Sequence, residues 1–168
     1  MEMFFAFLLW EDYMSNIVYA VEKSLDVSEF IEVLKNSTLA ERRPVDDEQR
    51  ISSMCNNSNL MVTARLDRKL IGVARSITDF VYCTYLSDLA VDVEYQKKGV
   101  GKRLIEETKK ITPLAKLILL SAPAAIDYYP KIGMTKHNNC FYLDNIEDLK
   151  WMLAVFCLIF KPLLLNLI

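Results

Sequence analysis

The most informative segment of the sequence is LAVDVEYQKKGVGKRL, residues 89–104. It begins as an apolar strand, passes through a turn that holds Gly99 and Gly101, and continues directly into a helix predicted to run to about Ile111. This order aims free backbone N–H groups and the positive end of a helix dipole at one spot, which is the geometry of an anion site. Glycines let a phosphate approach the backbone closely, and three lysines stand beside them: Lys97, Lys98 and Lys102.

Two common phosphate-binding motifs do not fit this loop. A Walker A loop needs a glycine five residues before Gly101, where the chain has Gln96. It also needs a serine or threonine after Lys102, where the chain has Arg103. A dinucleotide-binding fingerprint needs a third glycine at the position of Leu104. What remains is the pattern Gln-x-x-Gly-x-Gly after a strand that reads LAVD.

This pattern closely resembles the coenzyme A pyrophosphate loop of the GNAT acetyltransferase superfamily. A second segment, YPKIGM at residues 129–134, resembles that family's Tyr-x-x-x-Gly-Phe signature and follows at the right distance downstream. The resemblance spans roughly residues 17–143, and the two motifs in this order make it specific. It implies an α/β protein with the GNAT acyl-CoA N-acyltransferase fold, a mixed, mostly antiparallel central sheet flanked by helices.

The apolar pattern of the chain predicts strands and helices in an order that agrees with this family. Strands are predicted at 16–21, 59–66, 69–77, 84–93, 117–120 and 140–143. Helices are predicted at 26–35, 46–54, 99–111 and 124–132. The order β-α-α-β-β-β-α-β-α-β indicates a mixed α/β sheet rather than a helix bundle or a sandwich.

The resemblance also implies where coenzyme A binds. The strand at 89–91 would splay from its neighbour and pair through backbone groups with the pantetheine arm, and the N–H groups of residues 97–102 would hold the pyrophosphate. Many family members carry Asn seven residues before the tyrosine; this chain has Ala122 there, and Ser121 or the backbone could substitute. The implied coenzyme-binding residues are Leu89, Ala90, Val91, Gln96, Lys97, Lys98, Gly99, Val100, Gly101, Lys102 and Ser121.

The same resemblance implies the catalytic residues. The family's tyrosine that matches Tyr129 sits near the thioester sulfur and protonates the leaving thiolate, a task that suits a phenol with a pKa of about 10. Tyr128 is the alternative, but the four-residue spacing to Gly133 selects Tyr129. Asp88, just before the coenzyme strand, is the candidate general base or water-positioning residue. Its other interpretation is a strand-end residue bonded to backbone.

Five residues are candidates for contact with the acceptor: Arg42, Arg43, Asp79, Tyr82 and Tyr85. The two arginines belong to the charged segment ERRPVDDE at 41–48, and would suit a carboxylate or a phosphate on the acceptor. A solvated loop with local ion pairs is the alternative for that segment. A polar turn with tyrosines packed at its edge is the alternative for the other three.

Composition places these motifs in one domain with two apolar ends. Of the 168 residues 52% are apolar, but residues 1–13 contain 10 apolar residues of 13 and residues 151–168 contain 15 of 18. The predicted organisation is an apolar N-terminal extension at 1–13, an N-acetyltransferase domain at 14–147 and an apolar helical extension at 148–168. The net charge of −2 and the neutral middle argue against a nucleic-acid binder, which needs a basic face.

Four widely spaced cysteines and one histidine provide no metal-ligand set and no catalytic triad. The sparse cysteines favour a reducing cytoplasm. The run Trp151–Phe160 is interrupted by Lys161 and falls short of the roughly 20 apolar residues of a membrane span. We therefore favour packing of the tail on the domain, or on a partner subunit in a homodimer, over membrane association; a tail that is not part of the working protein is the third alternative.

These observations predict a cytoplasmic enzyme that moves an acetyl group from acetyl-CoA directly to an amine, without a metal and without an acyl-enzyme. A small-molecule acceptor is favoured over a protein or peptide amine. A non-catalytic acyl-CoA-binding module is the alternative from another class, because it would keep the loop at 96–102 and bind the coenzyme without turnover.

Overall fold

The computed structural model describes residues 16–150. The chain divides into two compact units, Met1–Ile126 and Asp127–Ile168. The predicted extension at 1–13 and all but three residues of the one at 148–168 lie outside the described residues. The boundaries predicted for the catalytic domain therefore stay a prediction.

The described part of the first unit contains a five-stranded sheet and three α-helices. The strands are β1 (Val18–Val21), β2 (Leu60–Leu66), β3 (Lys69–Thr78), β4 (Cys83–Val91) and β5 (Lys116–Ile118). The helices are α1 (Val27–Asn36), α2 (Glu48–Asn56) and α3 (Val100–Ile111), with 3₁₀ turns at Leu39–Arg42, Val93–Tyr95 and Pro123–Ala125. The predicted strands and helices of this unit are present, with ends displaced by a few residues.

The sheet has the strand order β1-β2-β3-β4-β5. The first four strands pair antiparallel, and β5 pairs parallel to β4. The β2–β3 hairpin turns at Asp67 and Arg68, both in the left-handed region with φ of 48° and 69°, as a two-residue hairpin turn requires. The predicted mixed, mostly antiparallel sheet flanked by helices is confirmed.

Helices cover both faces of this sheet because strand side chains alternate between them. On one face, α1 and α2 bury Phe30 and Ile51 against strand residues that include Met61 and Val73. On the other face, α3 packs through Leu104 and Val100 against the neighbouring strand positions, which are Val62, Ala64, Ile71, Ala74, Leu86 and Val91. The helix that follows the phosphate-loop sequence is thereby fixed on the sheet.

Gly72 in β3 permits this close packing of α3. A Cβ at this position would lie 3.1 Å from the Leu104 side chain, 3.4 Å from the Val100 side chain and 3.3 Å from the carbonyl oxygen of Ala90. Any larger residue would push α3 away from the sheet. Because α3 begins at the predicted anion site, Gly72 also helps to set the position of that site.

Two sequence predictions for residues 124–143 are wrong. Residues 140–143 form no strand, and Phe141 in this segment is 91% exposed, because the short apolar run has no partner strand within the described residues. The helix predicted over 124–132 is reduced to a 3₁₀ turn and a single-turn helix, α4 (Tyr128–Lys131). A continuous α-helix would need a hydrogen bond from the N–H of residue 130 to the carbonyl of Ile126. Pro130 has no N–H, so one helix does not continue across Ile126 and Pro130.

A 3₁₀ turn at Ile146–Asp148 ends the described part of the second unit. Between residues 16 and 150, no helix is long and apolar enough to cross a membrane.

Candidate active site

Strand β4 leaves two thirds of one edge without a partner strand. It pairs with β5 only from Cys83 opposite Lys116 to Tyr85 opposite Ile118, whereas its pairing with β3 continues to Val91. Within the described chain, residues 86–91 therefore have a strand on one side only. A free strand edge offers N–H and C=O groups to an extended ligand. Leu89, Ala90 and Val91, predicted to bind coenzyme, all lie in this unpaired part of β4.

A β-bulge at Ser87 marks the start of that free edge. Arg75 of β3 lies opposite Asp88, but the next β3 residue, Ser76, lies opposite Leu86, so Ser87 has no partner in the register. A bulge bends its strand and increases the local twist. The bend falls two residues after the last β4–β5 pair, at the place where the two strands part.

Two side chains, those of Asp92 and Gln96, stabilise the turn after β4 through hydrogen bonds to backbone groups. Asp92 is buried, and its carboxylate accepts the N–H of Glu94 at 3.0 Å. The side-chain amide of Gln96 donates to the carbonyl of Val91 at 2.9 Å and to that of Ser37 at 3.5 Å. Gln96, predicted to bind coenzyme, thus holds the turn against the end of β4 through its amide N–H groups.

The loop then reverses through two left-handed residues, Lys97 with φ 61° and Gly99 with φ 88°. A Cβ on Gly99 would meet nothing within 4 Å, so the backbone angle and not a lack of space explains glycine here. That open space gives a ligand room to approach the backbone.

The first turn of α3 follows directly. Its first backbone hydrogen bond runs from the N–H of Arg103 to the carbonyl of Gly99 at 2.9 Å. The N–H groups of Val100, Gly101 and Lys102 precede it and have no carbonyl partner within the helix. Three consecutive donors at a helix N-terminus form the anion site that the sequence predicts. Lys97 and Lys102 are exposed beside them, while the Lys98 ammonium lies 5.4 Å from the centre of the Tyr95 ring.

Asp88 lies at the centre of a buried group of charges. Its carboxylate accepts hydrogen bonds from the Nε groups of Arg43 and Arg75, one on each oxygen. We call Arg43, Asp88 and Arg75 the Asp88 cluster. The Asp88 side chain has no exposed surface, and each of its oxygens is bonded to an arginine. Its role as a general base or water-positioning residue stays a prediction.

The two arginines of the Asp88 cluster also form hydrogen bonds to Ser87, the residue at the bulge. Arg75 donates to the Ser87 hydroxyl at 2.8 Å, and Arg43 donates to the Ser87 carbonyl at 2.8 Å. Arg75 reaches the Ser58 hydroxyl at 2.9 Å as well, which ties β4 to the segment after α2. Ser87 and Arg75 were not expected from the sequence. One feature of the sequence could have indicated an ion pair here. Arg75 is a charged residue inside the apolar run of β3, the strand next to the one that contains Asp88.

The remaining acceptor candidates occupy the β3–β4 turn and β4. Asp79 accepts the N–H groups of Val81, Tyr82 and Cys83 at 2.8–3.0 Å, and these bonds lower the pKa of Asp79, that from Tyr82 most. This is the polar turn that the alternative interpretation described. Tyr82 is 82% exposed, and Tyr85 is half-buried in β4. Arg42 is exposed, and Ser121 donates to the carbonyl of Ala122.

In the second unit, the tyrosine signature has a clear local structure. The carbonyl of Tyr129 accepts the N–H groups of Ile132 and Met134 at 3.2 and 3.0 Å, and Gly133 takes a φ of 93°. This is a left-handed helix end of the kind glycine favours, which explains the spacing of the motif. The rings of Tyr128 and Tyr129 contact edge to face at 5.3 Å, and burial raises the pKa of both phenols.

No group of three or more His, Cys, Asp or Glu side chains among residues 16–150 could hold a metal ion. The described site consists of backbone donors, lysines and one buried charge cluster. Such a set suits a large anionic ligand that carries an extended arm.

Comparison with known proteins agrees with these features. Residues 22–154 match the family model described as the acetyltransferase (GNAT) domain. An uncharacterized ycf52-like N-acetyltransferase of Prochlorococcus marinus is 31% identical over 135 residues, which cover 74% of this chain and 73% of that protein. The chloroplastic GCN5-related N-acetyltransferase 2 of Arabidopsis thaliana is 31% identical over 70 residues, or 40% of this chain, and the match spans only 27% of that protein's length.

Among solved structures, the aminoglycoside N-acetyltransferase AAC(6')-Iy in complex with CoA has a similar fold. It superimposes with a TM-score of 0.61 at 13% identity, over 77% of this chain and 95% of that one. The free edge of β4, the glycine turn and the helix that follows are thus found in a chain whose sequence matches one enzyme family over most of its length. The chain belongs to the GNAT family of acetyltransferases.

Proposed function

We propose that this acetyltransferase uses acetyl-CoA as donor and transfers the acetyl group directly to an amine, with a small molecule as the preferred acceptor. The observation that carries the proposal is the unpaired edge of β4 at residues 86–91. After this edge, the turn at residues 92–99 connects to the backbone N–H donors of residues 100–102 at the start of α3. An extended arm along the edge would end with its pyrophosphate at the helix N-terminus. The structural relative in complex with CoA supports this choice of ligand.

The coenzyme would be held mainly by backbone. Leu89, Ala90 and Val91 would pair with the pantetheine arm, and the N–H groups of residues 97–102 would bind the pyrophosphate. Gly99 leaves space for the phosphates, and the lysines add positive charge. We assign to Gln96 the role of fixing the turn, because its amide N–H groups are bonded to Val91 and Ser37. Ser121 stays a predicted contact.

Tyr129 is proposed as the general acid. In the transfer, the amine nitrogen forms a bond to the acetyl carbon, the carbon–sulfur bond breaks, and the Tyr129 hydroxyl gives its proton to the sulfur. The nitrogen then loses its surplus proton to water, and the Tyr129 phenolate takes up a proton from water. Burial raises the pKa of this phenol, so that it stays protonated at neutral pH and above. The ammonium proton of the acceptor leaves to water, because Asp88 is buried between two arginines.

The test is a thiol-release assay with acetyl-CoA and a panel of amines, run beside titration calorimetry with acetyl-CoA. We expect Tyr129→Phe to lower kcat by about 10²- to 10⁴-fold while the affinity for acetyl-CoA changes little. Tyr128→Phe tests the alternative acid, and Tyr142→Phe, at a 76% exposed position, is the matched control. Because the pKa is raised, activity that depends on the protonated phenol should persist to about pH 10 or above.

Three outcomes contradict parts of this proposal. Unchanged kcat in Tyr129→Phe removes its role as the acid. Tight acetyl-CoA binding without turnover of any amine favours the non-catalytic binding module, and turnover of peptides alone favours a protein acetyltransferase. A cytoplasmic location and a homodimer stay predictions from the sequence.

A further inference from the structure

The Asp88 cluster holds more positive than negative charge. It contains two guanidinium groups, and within residues 16–150 the only carboxylate within 4 Å of either is that of Asp88. The side chains of Asp88 and Arg75 are 0% and 6% exposed, but that of Arg43 is 22% exposed. The surplus positive charge therefore reaches solvent at Arg43.

Arg43 is held in a fixed orientation and keeps unused donors. A guanidinium has five N–H groups, and three of them donate, to Asp88, to the carbonyl of Arg42 at 2.7 Å and to the carbonyl of Ser87 at 2.8 Å. The other two have no acceptor within the described part of the chain. A guanidinium positioned by three bonds, with two donors left over, is pre-organised to bind a planar acceptor group.

The position of Arg43 on the sheet suits an acceptor rather than the coenzyme phosphates. Arg43 binds Ser87 and Asp88, two and three residues past the last β4–β5 pair, where the free edge of β4 begins. The uncovered side chain of Ile77, 50% exposed, lies two residues from Arg75 and on the same face, opposite Tyr85. An exposed apolar and aromatic surface thus adjoins the charged group.

We propose that Arg43 binds a carboxylate on the acceptor, so that the enzyme acetylates amines that also carry a carboxylate. This inference rests on the proposed function and adds the substrate class. Two remaining donors match the two oxygens of a carboxylate, and one surplus positive charge matches its single negative charge. A phosphate monoester, with a charge of about −1.5 to −2 at pH 7, would exceed that surplus. Asp88 acts here as a positioning residue for Arg43.

The experiment compares acceptors in pairs that differ only at this group. A series of ω-amino acids and dipeptides is assayed beside the corresponding carboxamides with the full chain and acetyl-CoA. The amine lies several bonds from the altered group, so both members of a pair contain similar amounts of free amine. We expect at least one pair in which kcat/KM is about tenfold or more higher for the carboxylate, since charge-assisted hydrogen bonds are the strong ones.

Variants then assign the preference to Arg43. Arg43→Gln should bring the ratio within a pair to about 1, mainly by raising KM for the carboxylate, and Arg43→Lys should retain part of it because the charge remains. Arg50→Gln is the matched control, because Arg50 is an exposed arginine of α2 outside the site. Its ratio should equal that of the unaltered chain.

Three results overturn the inference. One is equal kcat/KM within every pair, and another is an equal loss for both members of a pair in Arg43→Gln. The third is acetylation confined to amines without a carboxylate, such as diamines or aminoglycosides, which would leave the proposed function standing. The proposed function fails separately if acetyl-CoA does not bind in titration calorimetry.

Discussion

Two clusters of three charged side chains differ in composition and in exposure. The Asp88 cluster joins two arginines to one carboxylate with no exposed surface. In a second group, which we call the Arg65 cluster, Arg65 binds Glu22 at 2.7 Å and Glu29 at 2.8 Å, and all three side chains are 22–37% exposed. The buried cluster lies at the bulge where the free edge of β4 begins, while the half-exposed one joins β2 to α1 and the end of β1.

The difference indicates which cluster concerns function. In the Arg65 cluster all three side chains contact water, which screens the charges, and the surplus charge is negative. In the Asp88 cluster only Arg43 reaches water, and the free energy of burying Asp88 and Arg75 must be offset by the bonds they make to each other and to Ser87. Burying charges at the bulge costs free energy, and the surplus positive charge of the cluster reaches solvent at Arg43. This combination indicates a ligand-binding site more than a group of ion pairs that only stabilises the fold.

The largest expected effect concerns Asp88. Asp88→Ala leaves two guanidiniums without a counter-charge, Arg75 being almost fully buried, and should lower the free energy of unfolding by about 3–5 kcal/mol. Urea unfolding followed by circular dichroism measures it. Where this variant does not fold, the double variant Arg75→Met with Asp88→Leu provides the comparison, because removing the buried Arg75 together with Asp88 should cost less than removing Asp88 alone. A loss below about 1 kcal/mol in Asp88→Ala would contradict the structure of the cluster.

The contrast between these clusters also shows what the sequence could predict. The β2–β3 hairpin and the turn at residues 96–102 depend on neighbouring residues and on local patterns, and both were predicted. Arg43, Arg75 and Asp88 are far apart along the chain, and they meet only because of the strand register and the bulge at Ser87. A change of one residue in the register between β3 and β4 would move a side chain to the other face of the sheet. No local sequence pattern determines where the bulge changes this register.

The errors have related physical causes. The apolar run at 140–143 has the composition of a strand, but a strand also needs a partner, and composition does not provide one. The sequence also carries no sign that the side chain of Gln96 donates to the carbonyls of Val91 and Ser37, because these contacts depend on the folded turn. Contact between Gln96 and the coenzyme stays a prediction.

A smaller, pH-dependent effect is expected at Glu22. The hydrogen bond from Arg65 lowers the pKa of Glu22 below its ordinary value of 4.5, and a bond from Thr63 contributes in the same direction. The stabilisation is therefore fully present above about pH 4.5 and is lost as the pH falls through the lowered value. Glu22→Gln should cost about 1 kcal/mol at pH 7 and almost nothing near pH 2. Urea unfolding across this range measures it, with Glu32→Gln, an exposed position of α1, as control.

A loss in Glu22→Gln that stays constant between pH 7 and pH 2 would assign the effect to packing of the side chain instead of to its charge. That outcome would weaken the contrast between the two clusters, because the Arg65 cluster would then not act through the charge of Glu22.

The smallest effect is expected at Glu29, the most exposed member of the Arg65 cluster at 37%. Arg65 keeps its bonds to Glu22 when Glu29→Gln is made, so the free energy of unfolding should fall by no more than about 0.5 kcal/mol at low salt. In about 1 M NaCl the loss should shrink further, because the Debye length falls to about 3 Å. Glu32→Gln in the same helix again provides the control. A loss of unfolding free energy above about 2 kcal/mol that does not change with salt would show that the Arg65 cluster behaves like a buried ion-pair group. Burial at the β4 bulge would then no longer distinguish the Asp88 cluster from the Arg65 cluster.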